Sequence, residues 1–235
     1  MDDRAPVQAG AEPRNRRKDR VVGVAIVAVA FVASLGLSAW ARRASRPELS
    51  QPPAPPTTAG LHGFPTSVDP IRSLDAARAV TRRTLLRRID AEGVASDGTL
   101  DVSTGLTRAR YEFQSAPGEG PQPPREEGSL AHALYCGKQI VQLGKSGLVA
   151  DPDLASYPCP LRHEDALPEP RCDFAKVWQH ALAKGAPKTG RARIEYYRSK
   201  AGPAWRFDLP GSVVFSLYGD CGRELEGRDA ESSGP

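Results

Sequence analysis

Twenty consecutive residues without a charge, Val21 to Trp40, constrain this chain more than any other feature of its sequence. At about 1.5 Å rise per residue a helix of that length spans roughly 30 Å, the thickness of one hydrocarbon core. A core helix of a soluble domain would need apolar cover on every side. Here Arg16, Arg17, Lys18 and Arg20 crowd one end, Arg42 and Arg43 the other, and a proline-rich tract follows. The expectation is a single transmembrane helix over residues 21–40.

Charge then orients it. Six Lys and Arg residues precede the apolar run (Arg4, Arg14, Arg16, Arg17, Lys18, Arg20) and three follow it (Arg42, Arg43, Arg46), so the positive-inside bias predicts a cytoplasmic N-terminus. Trp40 suits the aromatic belt of the opposite interface. Ala39-Trp40-Ala41 has the form of a signal-peptidase site, but the apolar stretch exceeds the 7 to 15 residues of a signal h-region. Retention as an anchor is the expectation. Everything beyond Arg42 then lies outside the cytoplasm. The absence of any N-x-[ST] acceptor and the excess of arginine over lysine, 25 to 7, lean towards a bacterial inner membrane with the C-terminal domain in the periplasm.

The net charge of +4 resides in the flanks of the helix. From Thr57 to Pro235 there are 23 Lys plus Arg and 23 Asp plus Glu, so the ectodomain is neutral and lacks the basic surface that counterion release requires. Nucleic acid is therefore not an expected partner. A run of arginines, Arg78, Arg82, Arg83, Arg87 and Arg88, would gather on one face if the first helix of the domain extended that far. Arg82 and Arg83 are on that account candidates for a partner surface.

Four cysteines, Cys136, Cys159, Cys172 and Cys221, all fall on the oxidising side, where an even count predicts two disulfides. Zinc is not expected. Cys159 and His163 are suitably spaced, but no C-x-x-C pair completes a site.

Along the chain, residues 1–20 read as a short disordered cytoplasmic tail, 41–67 as a proline-rich linker favouring extended polyproline II, and 222–235 as a disordered tail. Between them, residues 68–221 form the expected extracytoplasmic domain. Asp69-Pro70 begins a helix of about four turns carrying Ile71, Leu74, Ala77 and Val80. Strands are predicted over Leu85 to Ala95, Leu100 to Val102 and Ala109 to Gln114, the first two joined at Ser96-Asp-Gly-Thr99. After the loop 116–128 come strands over Ala133 to Leu143 and Leu148 to Ala150, and then an irregular stretch to Pro170. The clearest element follows: Phe174, Val177, Trp178, Ala181 and Leu182 recur at helical spacing behind the N-cap Asp173, and Gly185 ends the pattern. Three alternating strands succeed it, carrying Ala192, Ile194 and Tyr196; Trp205, Phe207 and Leu209; and Val213, Phe215 and Leu217.

Helix followed by three antiparallel strands thus occurs twice, over about 69–115 and 171–221, with 116–170 intervening. The expected fold class is α+β: an N-terminal transmembrane helix, then two helix-plus-antiparallel-strand units in a two-layer arrangement. In such a meander the third strand returns to the end of the sheet where the helix began. Cys221 should therefore bond to Cys172, leaving Cys136 for Cys159. Trp178, Trp205, Phe207 and Tyr196 fall on inner faces; Tyr197 and Tyr218 point the other way and are candidates for a partner site.

No catalytic or cofactor-binding constellation is legible. Gly144-Lys145-Ser146 has the end of a P-loop, but Gln139 stands where its first glycine belongs. Lys188-Thr-Gly190 has the K-[ST]-G form, yet no lysine is preceded by the serine of S-x-x-K. G-x-S-x-G, H-E-x-x-H and G-x-G-x-x-G are absent. The repeated units resemble the PepSY and beta-lactamase-inhibitor-protein class of extracytoplasmic α+β modules. The segment Arg171 to Pro187, with Arg193-Ile-Glu-Tyr and Trp205-Arg-Phe, also resembles outer segments of membrane-anchored bacterial signalling proteins. That resemblance implies a binding or sensory module. The expected function is a single-pass, membrane-anchored periplasmic accessory module contacting another envelope protein. The alternatives are a small periplasmic hydrolase and an envelope-spanning structural or secretion linker.

Overall fold

The computed structural model describes residues 55–116, 119, 136–156 and 166–226. The expected membrane helix, cytoplasmic tail and most of the linker lie outside them, as does Cys159. Among the described residues no helix is long and apolar enough to cross a membrane.

The described residues form two short helices and eight strands: α1 (Leu74–Val80), β1 (Leu85–Val94), β2 (Arg108–Gln114), β3 (Cys136–Gly144), β4 (Gly147–Ala150), β5 (Leu154–Ser156), α2 (Phe174–Ala183), β6 (Ala192–Ser199), β7 (Gly202–Asp208) and β8 (Val214–Tyr218). All pairings are antiparallel, in the order β4-β3-β2-β1-β6-β7-β8, with β5 pairing β3. The strand that follows each helix, β1 and β6, meets its counterpart at the centre, Ile89 opposite Tyr196 and Ala91 opposite Ile194. The order β3-β2-β1-β6-β7-β8 is consequently symmetric about that pair.

The second half follows the sequence closely. Asp173 adopts extended backbone and accepts the Lys176 amide at 2.8 Å, which starts α2. Its apolar stripe lies on β7, where Trp178 meets Phe207 edge-on at 4.9 Å and Phe174 meets Trp205 at 5.6 Å. Edge-to-face pairs of this kind add about 0.5–1.5 kcal/mol each beyond the area they bury. Cys172 and Cys221 are disulfide-bonded with Cα atoms 6.1 Å apart, as the meander requires. Cys136 is disulfide-bonded as well.

The first half differs from expectation in three ways. The helix is shorter: Asp69 Oδ1 accepts the amides of Ile71 and Arg72 in a turn, regular helix begins only at Leu74, and Thr81 is already extended. Gln139 of β3 captures that exit, accepting from Thr81 Oγ1 at 2.7 Å and from the Arg82 amide at 3.1 Å. The arginines consequently share no helix face, since Arg87 and Arg88 belong to β1. Nor does Leu100 to Val102 form a ladder strand. After the Asp97-Gly98 turn, Leu100 exchanges backbone bonds with Val68 and Val102 donates to Pro65, closing the core from the side. The third strand beside β1 and β2 is β3 instead.

Both ends of the folded part reach further than expected. Thr57, assigned to the linker, exchanges two backbone bonds with Leu148 on β4. Gly147 permits this: its φ is 98°, and a Cβ there would lie 2.4 Å from the Thr57 carbonyl oxygen. At the opposite edge Glu224, assigned to the tail, bridges to Leu217 of β8. Each sheet edge is thereby blunted by the domain's own flanking segment, a recurrent protection against edge-to-edge association. The inner face of the sheet, with both helices, encloses one core from Val68 to Cys221.

Candidate functional site

Strand alternation sends a second set of side chains to the opposite, outer face, and these are almost all polar or charged. The registers lay them out in rows. One runs Gln142, Arg110, Asp90, Glu195, Arg206, Ser216 across six strands; the next runs Arg108, Glu92, Arg193, Asp208. Opposite charges face one another at Asp90–Arg110, Glu195–Arg206, Glu92–Arg108, Glu92–Arg193 and Arg193–Asp208, the arrangement that stabilises a pleated surface, while Asp90 and Glu195 are a like-charged pair at the centre.

Ion pairs join the rows. Arg193 holds Asp90 through two bonds of 2.8 and 2.6 Å, Arg88 reaches Glu195 at 2.7 Å, Arg108 reaches Glu92 at 2.8 Å, and Lys138 reaches Glu112 at 3.3 Å. Depth separates the two signs. Asp90, Glu112 and Glu195 expose 13 % of their side chains, whereas Arg88, Arg110, Arg193 and Arg108 expose 40, 48, 47 and 64 %; Lys138 at 30 % and Glu92 at 37 % lie between. Short carboxylates lie close to the sheet and longer guanidinium groups lean out over them. Arg206, also exposed, has no carboxylate within salt-bridge distance among the described residues. A face whose charges nearly balance thus presents mainly cations to the solvent.

The electrostatic consequences are specific. Burial pushes the Glu195 carboxyl up, and Arg88 beside it opposes the shift. Hydrogen bonding to Asp90 raises Arg193 further above its ordinary value. Arg87, placed beside Arg88 by a bulge in β1, is lowered by burial, with Glu112 counteracting, and its Nε is buried without a hydrogen-bond partner. None of these groups forms a nucleophile–base pair, and among the described residues no three His, Cys, Asp or Glu side chains could hold a metal ion. The chemistry available is recognition of anionic groups by fixed guanidinium donors.

Of the residues expected at a partner surface, Arg82 is exposed in the connection after α1. Arg83 is a structural clamp: its guanidinium holds Asp153 through Nε at 3.2 Å and through Nη2, with the two side chains only 12 and 16 % exposed. Tyr218 and Tyr197 do point to the outer face, but Tyr197 is 5 % exposed because Leu225 covers it. Tyr197, Ala204, Tyr218 and Leu225 form a small apolar cluster separate from the main core. Burial raises the Tyr197 hydroxyl, which Ser216 partly opposes. On the inner face, burial likewise pushes Tyr196 up to about 12.

The covering segment is lightly held. Arg223 accepts from the Tyr218 amide at 3.0 Å, Leu225 donates to Ser216 at 2.9 Å, and Glu224 pairs with Lys184 at 2.8 Å. Burying one leucine contributes about 2 kcal/mol and each hydrogen bond about 1 kcal/mol. Fixing the backbone of three residues costs roughly 1–2 kcal/mol apiece, so the balance lies near zero.

Arg193 and Arg206 were visible in the sequence as alternate members of predicted strands, and Arg88 only as part of the arginine run. Their depth relative to the carboxylates needed the registers. Compared with known protein families, curated proteins and solved structures, the chain matches none.

Proposed function

We propose that the chain is a single-pass protein of the bacterial inner membrane, anchored by residues 21–40, whose periplasmic domain is a binding or sensory accessory module. In this reading two helix-plus-antiparallel-strand units share one sheet in a two-layer arrangement. The outer face of that sheet receives an acidic surface of another envelope protein.

One observation carries the reading: three outer-face carboxylates, Asp90, Glu112 and Glu195, lie at 13 % exposure beneath guanidinium groups at 40 to 64 %, and the most exposed of the paired carboxylates there, Glu92, reaches 37 %. Such a surface has already desolvated its acidic side, and the remaining N–H donors of its paired guanidinium groups, with Arg206, face solvent for carboxylates of a partner. Steering by exposed charge falls with ionic strength, so the association weakens as salt rises.

Charge reversal tests it. Arg110→Glu with Arg206→Glu in the full-length, membrane-embedded chain should abolish recovery of the crosslinked envelope partner while leaving the melting temperature within a few degrees. Undiminished recovery with both reversals would remove the outer face from the account.

A further inference from the structure

Leu225 sits where a ligand would. It fills the apolar hollow between Tyr197, Ala204 and Tyr218 on the outer face, and the backbone around it pairs antiparallel with the β8 edge. Glu224, one residue earlier, is paired with Lys184 at the end of α2, and Arg223 lies over the Tyr218 ring at 4.4 Å. Three separate recognition elements thus converge on three residues: a strand edge offering backbone bonds, a cation for an acidic side chain, and a hollow for a leucine. They are the elements by which proteins take up an extended segment of a partner, with main-chain bonds providing affinity and alternate side chains providing specificity.

We propose that the β8 edge is a strand-docking site for an extended segment of another protein in which an acidic residue directly precedes a leucine, and that residues 223–225 occupy it in cis. The chain is fixed immediately before this segment, because Cys221 is bonded to Cys172. Departure of residues 223–225 therefore leaves the main core and the disulfide intact, since the cluster under Leu225 is separate from the core. A covering segment held with nearly balanced energetics opens readily, and a competitor then sees its intrinsic affinity multiplied by the fraction of time the site is open. The inference does not rest on the arginine face, and failure of either proposal leaves the other standing.

The probe is a fluorescent peptide of this chain's own sequence, Gly222 to Arg228, titrated by anisotropy against the full-length protein in detergent. Leu225→Asp should expel the covering segment and bind the peptide at least about twofold more tightly than the unaltered chain, the gain expected when a site that is closed about half the time is held open. Adding Lys184→Glu should weaken that binding, and replacing the peptide's leucine by alanine should abolish it. Folding of each variant is confirmed by an intact disulfide and an unchanged near-ultraviolet signal. Equal binding by the unaltered and Leu225→Asp chains, or indifference to the peptide's leucine, would overturn the proposal. Hydrogen exchange gives a second reading: the Tyr218 and Leu225 amides should exchange far faster than the β7 ladder, and equal protection would also overturn it.

Discussion

Replacing Arg83 by alanine would leave Asp153 as a carboxylate of which only 16 % of the side chain reaches solvent. The pair connects the turn after α1 to the β4–β5 connection, and it does so through two parallel bonds, so loss of one partner strands the other. Breaking a buried pair in this way costs about 3–5 kcal/mol. Because both side chains retain slight exposure, the lower end, about 3 kcal/mol, applies. For a domain of this size each kcal/mol lowers the melting temperature by about 2–4 °C, so Arg83→Ala should melt roughly 6–12 °C below the parent. Arg83→Met with Asp153→Leu, which removes both charges at similar volume, should return to within about 1 kcal/mol of it. Gly137→Ala reports on the same site, because a Cβ there would lie 2.4 Å from the Arg83 guanidinium. Urea unfolding followed by tryptophan fluorescence reads all three, with Trp178 and Trp205 buried in the core. If Arg83→Ala lies within 1 kcal/mol of the parent, or if the double variant is no better than the single, the clamp does not exist as described.

Two further outcomes follow from the geometry. Cys172→Ala with Cys221→Ala opens a loop of 49 residues and should cost about 4 kcal/mol by the chain-entropy relation, measurable as a lower urea midpoint. Asp97 is partly desolvated, which raises its pKa, but hydrogen bonds from the Thr99 hydroxyl and amide outweigh this and lower it overall. A lowered carboxylate contributes stability that is present above its unfolded pKa and lost as the pH falls through its folded value. Asp97→Asn should accordingly be less stable than the parent at neutral pH and converge with it in strong acid, in melts recorded across the acid range.

The half of the domain that the sequence makes legible is the half in which local signals agree. Asp173 caps, Phe174 to Leu182 repeat at helical spacing, and β6 to β8 alternate with one buried face, so the Cys172 to Cys221 bond follows from topology alone. The first half carries conflicting signals. Arg87 and Arg88 stand together because a bulge interrupts alternation at Leu86, which blurs the strand pattern. Leu100 and Val102 are fully buried, as alternate residues of a strand would be, yet their backbone bonds go to Val68 and Pro65 and not to a neighbouring ladder. The true third strand, β3, lies beyond a proline-rich stretch, and pairing across such a distance leaves no periodic trace. Arg83 reads as one more solvated arginine, since the space it occupies exists only because Gly137, on another strand, has no side chain. Thr57 and Glu224 each make a single bridge, too little to impose a pattern. Tyr197 points outward as alternation predicts; its burial depends on one leucine in a segment that otherwise reads as tail.

In the proposed function the outer sheet face is the surface that meets a partner. Photocrosslinking residues placed singly at Arg110, Arg206 and Gln179, the last exposed on α2 in the opposite layer, test this directly in intact membranes. One discrete protein adduct is expected from positions 110 and 206, diminished by added salt, and none from 179. An adduct from 179 alone, or equal adducts from all three positions, would contradict it.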